Sequence, residues 1–417
     1  MAFLASDFRT GESRRVVITG AGIITSMGNG YAANAQGFRE GRSALRDITL
    51  FDTSRQRVGR AGELTLPDEL PENLLSSKQA ARVDRPSAML IHAGAEALAQ
   101  AGWGPGAAGR VPICLGTSAG AMQIGEAYYR QSVDTPGSQR GQALRVWQYQ
   151  TQTQARQLAD ALGLSGPVSI VTNACSSGAN AIGHAFHLVK RGQAERVLCG
   201  GYDALSAMVF AGFDSLQALT TGTPRPFDAN RDGLALGEGG ALVTVETLEA
   251  ARARGAEILC EIIGYGASTD SHHLTQPHPE GDAALRSMQA ACKEAGVTAR
   301  DVDYINSHGT GTPLNDIAEG RAIQRWAGED VAGVAVSSTK ASIGHLLGGA
   351  GAVEAVIAVM AMRGNWLPPT MTVETPDDVC TFDLVREPRD AEINCVLTNS
   401  FGFGGANATV IMREVRA

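Results

Sequence analysis

Short runs rich in Val and Ile alternate with helix-length amphipathic segments along this chain, and the whole alternation occurs twice. In the first half "RRVVITG", "VPICLG", "PVSIVT" and "RVLCGG" are interleaved with "AMLIHAGAEALAQAG" and "ARQLADALG". In the second half "EIIGYGAS", "VDYINS" and "VAVSST" are interleaved with "ALRSMQAACKEAG", "IAEGRAIQRWAG" and "AVEAVIAVMAMRG". Apolar runs without in-out alternation indicate strands buried on both faces, and such strands need helices to cover them. The sequence therefore predicts an α/β chain with a duplication joined near Gly255. Residues 1–14 read as an N-terminal extension, 15–255 as the first half and 256–417 as the second.

Several function classes are excluded early. With 417 residues, 44% of them hydrophobic, the chain has material for a large core or two fused ones, and the net charge of -8 gives no global basic field. Nucleic acid and anionic membrane are therefore not expected as main partners. The seven cysteines are odd in number, scattered and without a C-x-x-C pair, which suits a reducing cytosol and predicts a cytoplasmic protein with no zinc site. "MAFLASDFRTGESRR" lacks the pattern of a signal peptide, and the apolar stretch "AVEAVIAVMAMRG" carries Glu354 and ends at Arg363, so no membrane span is expected. Near the start, Gly20 and Gly22 imitate a dinucleotide fingerprint, but the third small position is Thr25 and no acidic residue follows at the expected distance. The polar segment 132–149 shows neither period and reads as an excursion from the core. "TTGTPRPFDANRDGLALGEGG" reads as a long loop, of a length that is often functional.

The chemistry begins at "VTNACSSGANAIGHAF". A strand gives way at Asn173 to Cys175 to a helix that stops at Gly192, placing Cys175 in the first helical turn. There the unpaired N–H groups and the positive end of the helix favour a thiolate. The ordinary alternative is a small buried hydrophobe. Ala174, Ser176, Ser177, Gly178 and Ala179 are all small, which permits close approach by a ligand or by another backbone. Among eight histidines, His184 and His187 lie too far along the helix to face the sulfur and read as packing or surface residues. His272, His273 and His278 share one loop without a matching carboxylate arrangement, so no metal is expected. His308 in "YINSHGTGTPLNDIAEG" and His345 in "VAVSSTKASIGHLLGGAGAVEA" each follow a strand-like run, at the strand ends where open α/β sheets place ligands.

Taken together, "NACSSG", "SHGTGTPLND", "KASIGHLLGGAGAVEA", "PPT", "NSFGFGGANATVI" and "PFDANRDGLALGEGG" resemble the β-ketoacyl-acyl-carrier-protein synthases, decarboxylating condensing enzymes of the thiolase superfamily. The resemblance runs from about Arg15 to the C-terminus. It implies a thiolase-like five-layered αβαβα fold built from two halves, and a homodimer. It implies Cys175 as the acyl-accepting nucleophile, with His308 and His345 binding the malonyl thioester. Lys340 corresponds to a structural lysine, with Glu319 as its ion-pair partner. Phe403 corresponds to an aromatic gate whose backbone N–H forms an oxyanion hole with that of Cys175. Thr275, Thr310 and Thr312 correspond to hydroxyls lining the tunnel for the carrier's phosphopantetheine arm. No permanently bound cofactor is implied, because the substrates arrive on an acyl carrier protein.

Acidic carriers imply basic contacts, and Lys78, Arg82 and Arg85 in "SSKQAARVDRPS" are candidates, although a solvated helix face explains them as well. Gln217 stands where elongating relatives often carry an arginine. Ala119 stands where medium-to-long-chain synthases often place a bulky branched residue, which predicts an unobstructed acyl pocket. "NACSSG" and "KASIGH" depart from the housekeeping pattern, leaving fatty-acid and type II polyketide-like pathways both open. Homodimer, heterodimer with a related subunit, and a catalytically idle carrier-binding subunit are the open assembly readings. Intact Cys175, His308, His345 and Lys340 argue against the idle one.

Overall fold

The computed structural model describes residues 13–72, 74–104, 110–135, 137 and 142–415. Nearly all of the N-terminal extension lies outside them. Five main strands form the first half: β1 (Val16–Thr25), β2 (Ile113–Gly116), β3 (Val168–Val171), β4 (Arg196–Asp203) and β5 (Gly239–Thr247). The second half has β6 (Cys260–Thr269), β7 (Tyr304–Asn306), β8 (Ala335–Ser337), β9 (Cys395–Phe401) and β10 (Ala406–Arg413). In space the first set is ordered β1-β5-β4-β2-β3 and the second β6-β10-β9-β7-β8. The chain has thus traced one topology twice. The halves are joined where Val16, Val17 and Ile18 pair antiparallel with Ile262, Glu261 and Cys260.

Helices complete the layers. On the outside, α1 (Arg85–Ala101) packs on β1 and β5, while α4 (Asp282–Ala295) packs on β6 and β10. Between the two halves of this sheet lie α2 (Ser177–Lys190) and, after α3 (Ala207–Ser215) and the outer helix α5 (Pro313–Ala327), the equivalent α6 (Ala350–Gly364). A helix walled on every side must be apolar all round, and α6 is buried from Ala350 to Met362. The segment Leu347–Gly364 has the length and hydropathy of a membrane span, but 89% of it is buried within the fold. This is the thiolase-like αβαβα architecture.

Small residues let these layers approach. A Cβ at Gly22 would lie 1.9 Å from the Ala93 oxygen and one at Gly20 2.1 Å from that of Ala97, so these glycines serve the packing of α1 on β1. Around the cysteine, a Cβ at Gly178 would meet Ala352 N at 2.8 Å and Gly348 O at 2.9 Å. Of the two readings for that small-residue run, another backbone makes the approach there. The segment 132–149 lies away from the core, as its sequence predicts, but is largely helical where neither period shows. Most of its described residues belong to two helices, Met122–Asp134 and Gln142–Tyr149. Their large residues, among them Tyr129, Val133, Leu144, Val146 and Trp147, face solvent, so no core-facing stripe marks them.

Candidate active site

Cys175 follows β3, and His345 follows β8, the strand in the same place in the other half. His308 follows β7, and Phe403 follows β9. All four line one cavity of about 330 Å³ at the C-terminal ends of these strands, together with Thr275, Thr310, Thr312 and Gln217.

The turn before α2 is tight. Ala174 occupies the left-handed region at φ 55°, a conformation costing about 1 kcal/mol or more for a residue with a side chain. Ser177 holds it by accepting from Asn173 N at 2.9 Å and donating to Ala174 O at 2.6 Å. Helix α2 starts at Ser177 with Ser176 as its cap, so Cys175 sits just ahead of the first turn and not within it. Its charge also departs from the sequence reading. Burial pushes the thiol up to about 12, outweighing the Lys340 ammonium and the Phe403 N–H, both of which favour the thiolate. The resting group is therefore a thiol. Forming thiolate requires a base within the cavity.

The loop that carries Phe403 lies over this turn. A Cβ at Gly402 would come 3.0 Å from Cys175 N and 3.1 Å from Ala174 Cβ, so the backbones are in contact. Gly404 at φ 78° and Gly405 at φ 81° use conformations that other residues avoid, turning the loop so that the Phe403 N–H faces the sulfur. The Phe403 ring stacks on Phe213 of α3, with centroids 5.8 Å apart and planes at 16°.

The two imidazoles meet edge to face, with centroids 5.3 Å apart. Burial and the Lys340 ammonium push both well below the ordinary histidine range, so both rings are neutral. The Nδ1 atom of each is buried without a hydrogen-bond partner among the described residues. Glu319 fixes the His308 backbone by accepting from His308 N at 2.8 Å and Gly309 N at 2.7 Å. Asp316 does the same for the next residues, accepting from Thr310 N at 3.1 Å and Gly311 N at 3.1 Å. The hydroxyls of Thr310 and Thr312 lie 2.9 Å apart.

Lys340 is buried and pairs with Glu354 of α6, not with Glu319. Glu319 is instead occupied by backbone N–H groups. Sequence reasoning saw Glu354 only as a break in an apolar stretch. A single carboxylate in an otherwise fully buried helix was the available signal for its role. Burial lifts Glu354 to about 7 against the pull of Lys340. Removing one member leaves the other buried and uncompensated, so Glu354→Gln is expected to destabilise the protein by about 3–5 kcal/mol. The double change Lys340→Met, Glu354→Met is expected to cost less, as read by denaturant unfolding. A double variant no more stable than Glu354→Gln would contradict this account.

Two further sequence expectations are corrected. Arg85 is no surface contact, because its guanidinium binds buried Glu238 with Nε to Oε2 at 3.0 Å and also donates to Leu64 O at 2.7 Å. Lys78 and Arg82 are exposed and lie outside the cavity lining, where a carrier contact was expected. Ala119 is not on the cavity wall either. It is buried in an apolar cluster with Leu205, Phe210, Leu219 and Leu234. Its N–H donates to Asp203 Oδ1 at 2.8 Å. Asp203, which no motif flagged, also accepts from Thr117, Ser118, Gly120 and, across the two halves, Gly348. Among the described residues no cluster of His, Cys, Asp and Glu has metal-binding geometry, and the rings of His272 and His278 instead pack edge to face at 5.1 Å.

A thiol, an N–H donor aimed at it and two neutral imidazoles in one cavity, between two copies of one α/β topology, define a thiolase-type condensing enzyme. Models of the β-ketoacyl synthase N-terminal and C-terminal domains match residues 13–251 and 259–374. The chain belongs to the β-ketoacyl synthase family. It is 37% identical over 415 residues to "3-oxoacyl-[acyl-carrier-protein] synthase 2" of Staphylococcus aureus strain COL, covering 97% of this chain and 100% of that one. The solved structure of the ishigamide ketosynthase/chain length factor superposes with TM-score 0.90 at 32% identity, covering 97% of this chain and 100% of the other. A β-ketoacyl synthase from Burkholderia phymatum STM815 superposes with TM-score 0.88 at 33% identity, with the same coverage.

Proposed function

We propose that this protein is a β-ketoacyl-acyl-carrier-protein synthase performing a decarboxylative Claisen condensation. The observation that carries the reading is the convergence of Cys175, His308, His345 and the Phe403 N–H on one cavity. In the first half-reaction the Cys175 sulfur attacks an acyl thioester, with a neutral imidazole taking its proton and the carrier thiol leaving. The N–H groups of Phe403 and Cys175 would hold the tetrahedral oxyanion, each donor contributing about 3 kcal/mol. In the second, malonyl-carrier loses CO2 while His308 and His345 donate to the thioester oxygen. The enolate carbon then attacks the acyl-Cys175 carbonyl, and the sulfur leaves as thiolate. Burial keeps both rings neutral, and the positive charge of Lys340 adds to that effect at a distance. Thr275, Thr310 and Thr312 would meet the phosphopantetheine arm. The reaction as written needs no resident cofactor.

The chain's relatives bear on the partners. The Staphylococcus enzyme's name specifies an acyl-carrier substrate, and the ishigamide structure contains a chain length factor. Exposed Tyr129, Val146 and Met208 line a second groove, beside the helices Met122–Asp134 and Gln142–Tyr149, that suits a subunit interface. A homodimer, or a heterodimer with a related subunit in a polyketide-like pathway, fits that surface.

The test is intact-protein mass spectrometry after mixing the enzyme with acyl-carriers of increasing chain length, then with malonyl-carrier. The expected result is an acyl adduct discharged into a product two carbons longer, with CO2 released. An adduct that malonyl-carrier leaves in place, or that only water removes, would count against condensation.

A further inference from the structure

Asp203, the last residue of β4, is fully buried and takes no part in either half-reaction as written. Its carboxylate is nevertheless crowded with donors. Oδ1 accepts from Thr117 Oγ1 at 2.6 Å, Ala119 N at 2.8 Å and Gly120 N at 3.1 Å. Oδ2 accepts from Ser118 N at 2.9 Å and Gly348 N at 2.6 Å. Residues 117–120 form the turn after β2, in the half that carries Cys175, whereas Gly348 lies three residues after His345 in the other half. Bonds to an ionised acceptor are roughly twice as strong as neutral ones, so this carboxylate ties the two segments firmly.

The backbones around Asp203 are in direct contact. A Cβ at Gly348 would lie 2.5 Å from Thr117 C, and one at Gly349 3.0 Å from Asp203 N. One at Gly201 would meet Gly116 O at 2.9 Å and Gly348 O at 3.2 Å. One at Gly116 would overlap Ser177 C and Gly178 N, at the start of the helix that follows Cys175. The ends of β2 and β4, the start of α2 and the segment after His345 therefore meet with no side chains between them. Asp203 supplies the charge at that junction, outside the cavity lining.

We infer that Asp203 is a positioning residue for the condensation, fixing the His345 segment of one half against the Cys175 turn of the other so that the enolate forms within reach of the acyl thioester. The inference rests on the condensing reading above. Asp203 touches no reacting atom and acts through Gly348 and the turn 117–120. A misplacement of about 1 Å between reacting groups can cost about 10²-fold, which is the scale of effect such a tie controls. An amide of the same shape cannot replace the carboxylate. In either orientation its NH2 group would face two backbone donors, Ala119 N and Gly120 N or Ser118 N and Gly348 N.

The experiment acylates the full-length enzyme with a butanoyl-loaded bacterial acyl carrier protein and counts the acylated fraction by intact mass. Malonyl-carrier is then added and discharge is timed per acylated molecule. Asp203→Asn is expected to slow that discharge about tenfold or more, with KM for malonyl-carrier within about threefold of the unmodified enzyme's. Placed on His345→Ala, the same substitution is expected to cost less than about threefold, because the ring it positions is already gone, while on His308→Ala it keeps its full effect. A role confined to stability would lower the melting temperature and the folded fraction but leave the rate per acylated molecule unchanged, and that result would overturn the inference. Equal losses in the two histidine backgrounds, or a raised KM at an unchanged rate, would overturn it too. If Asp203→Asn gives no folded protein, Thr117→Val decides, since it removes one donor from Oδ1 in a side chain of the same shape. Discharge about threefold slower is expected there, and a rate within about 1.5-fold of the unmodified enzyme would sink the idea. An adduct on the unmodified enzyme that malonyl-carrier leaves in place would remove the condensing reading, and this inference with it.

Discussion

Replacement of Cys175 by alanine is expected to eliminate the acyl adduct and to lower condensation by on the order of 10⁴-fold or more, as loss of a covalent nucleophile does elsewhere. The substitution removes one sulfur from a residue that precedes the helix, among Ala174, Ser176 and Ser177, which are already small. The turn is held by Ser177 and the Asn173 backbone, not by the thiol. Thermal stability should therefore change little. The other six cysteines are also free thiols, but none lines the cavity. Intact mass after incubation with an acyl-carrier, alongside a melting curve, distinguishes lost chemistry from lost fold. An adduct persisting on the alanine variant would place the nucleophile elsewhere.

Which parts of this were legible in the sequence follows from the range of the interactions involved. The duplicated α/β scheme was readable because strands buried on both faces and a helix buried all round leave local apolar patterns, as in "RRVVITG" and "AVEAVIAVMAMRG". Cys175, His308 and His345 stood out because each lies in a small-residue loop after a strand. Pairings between distant residues left no such pattern. Lys340 reaches Glu354 fourteen positions on, in another helix, while Glu319 is consumed by two N–H groups that no side-chain inventory records. Arg85 looked like a surface cation because its partner, Glu238, lies 153 positions away. The helix Gln142–Tyr149 was invisible because its apolar residues point to solvent and form no stripe toward this chain's own core. The charge of Cys175 was misjudged for a related reason. A helix terminus is a local feature, whereas the burial that opposes it belongs to the assembled fold.

Loss of either imidazole should separate the two half-reactions. Removal of one preorganised donor to a developing oxyanion typically costs about 10²–10³-fold, so His308→Ala and His345→Ala are each expected to slow discharge of the acyl enzyme by malonyl-carrier by about that factor. The double variant should lose less than the product of the two, because both donors serve one oxygen. Acylation of Cys175 is expected to fall less in at least one single variant, since only one ring need take the thiol proton. The pH dependence follows from the direction of the shifts. Both rings lie well below the ordinary 6.5, so as pH falls through 6.5 a solvated histidine gains a proton while these two stay neutral. Each keeps one N–H to donate and one lone pair to accept, the state both half-reactions require. In ¹⁵N-histidine spectra, the two resonances assigned by their loss in the alanine variants should stay in the neutral form across pH 8 to about 6. A midpoint at or above 6.5 for either ring would show that burial and Lys340 do not hold the pair neutral. Imidazolium donors would then have to replace neutral ones in the condensation, and the thiol at about 12 would be left without its base.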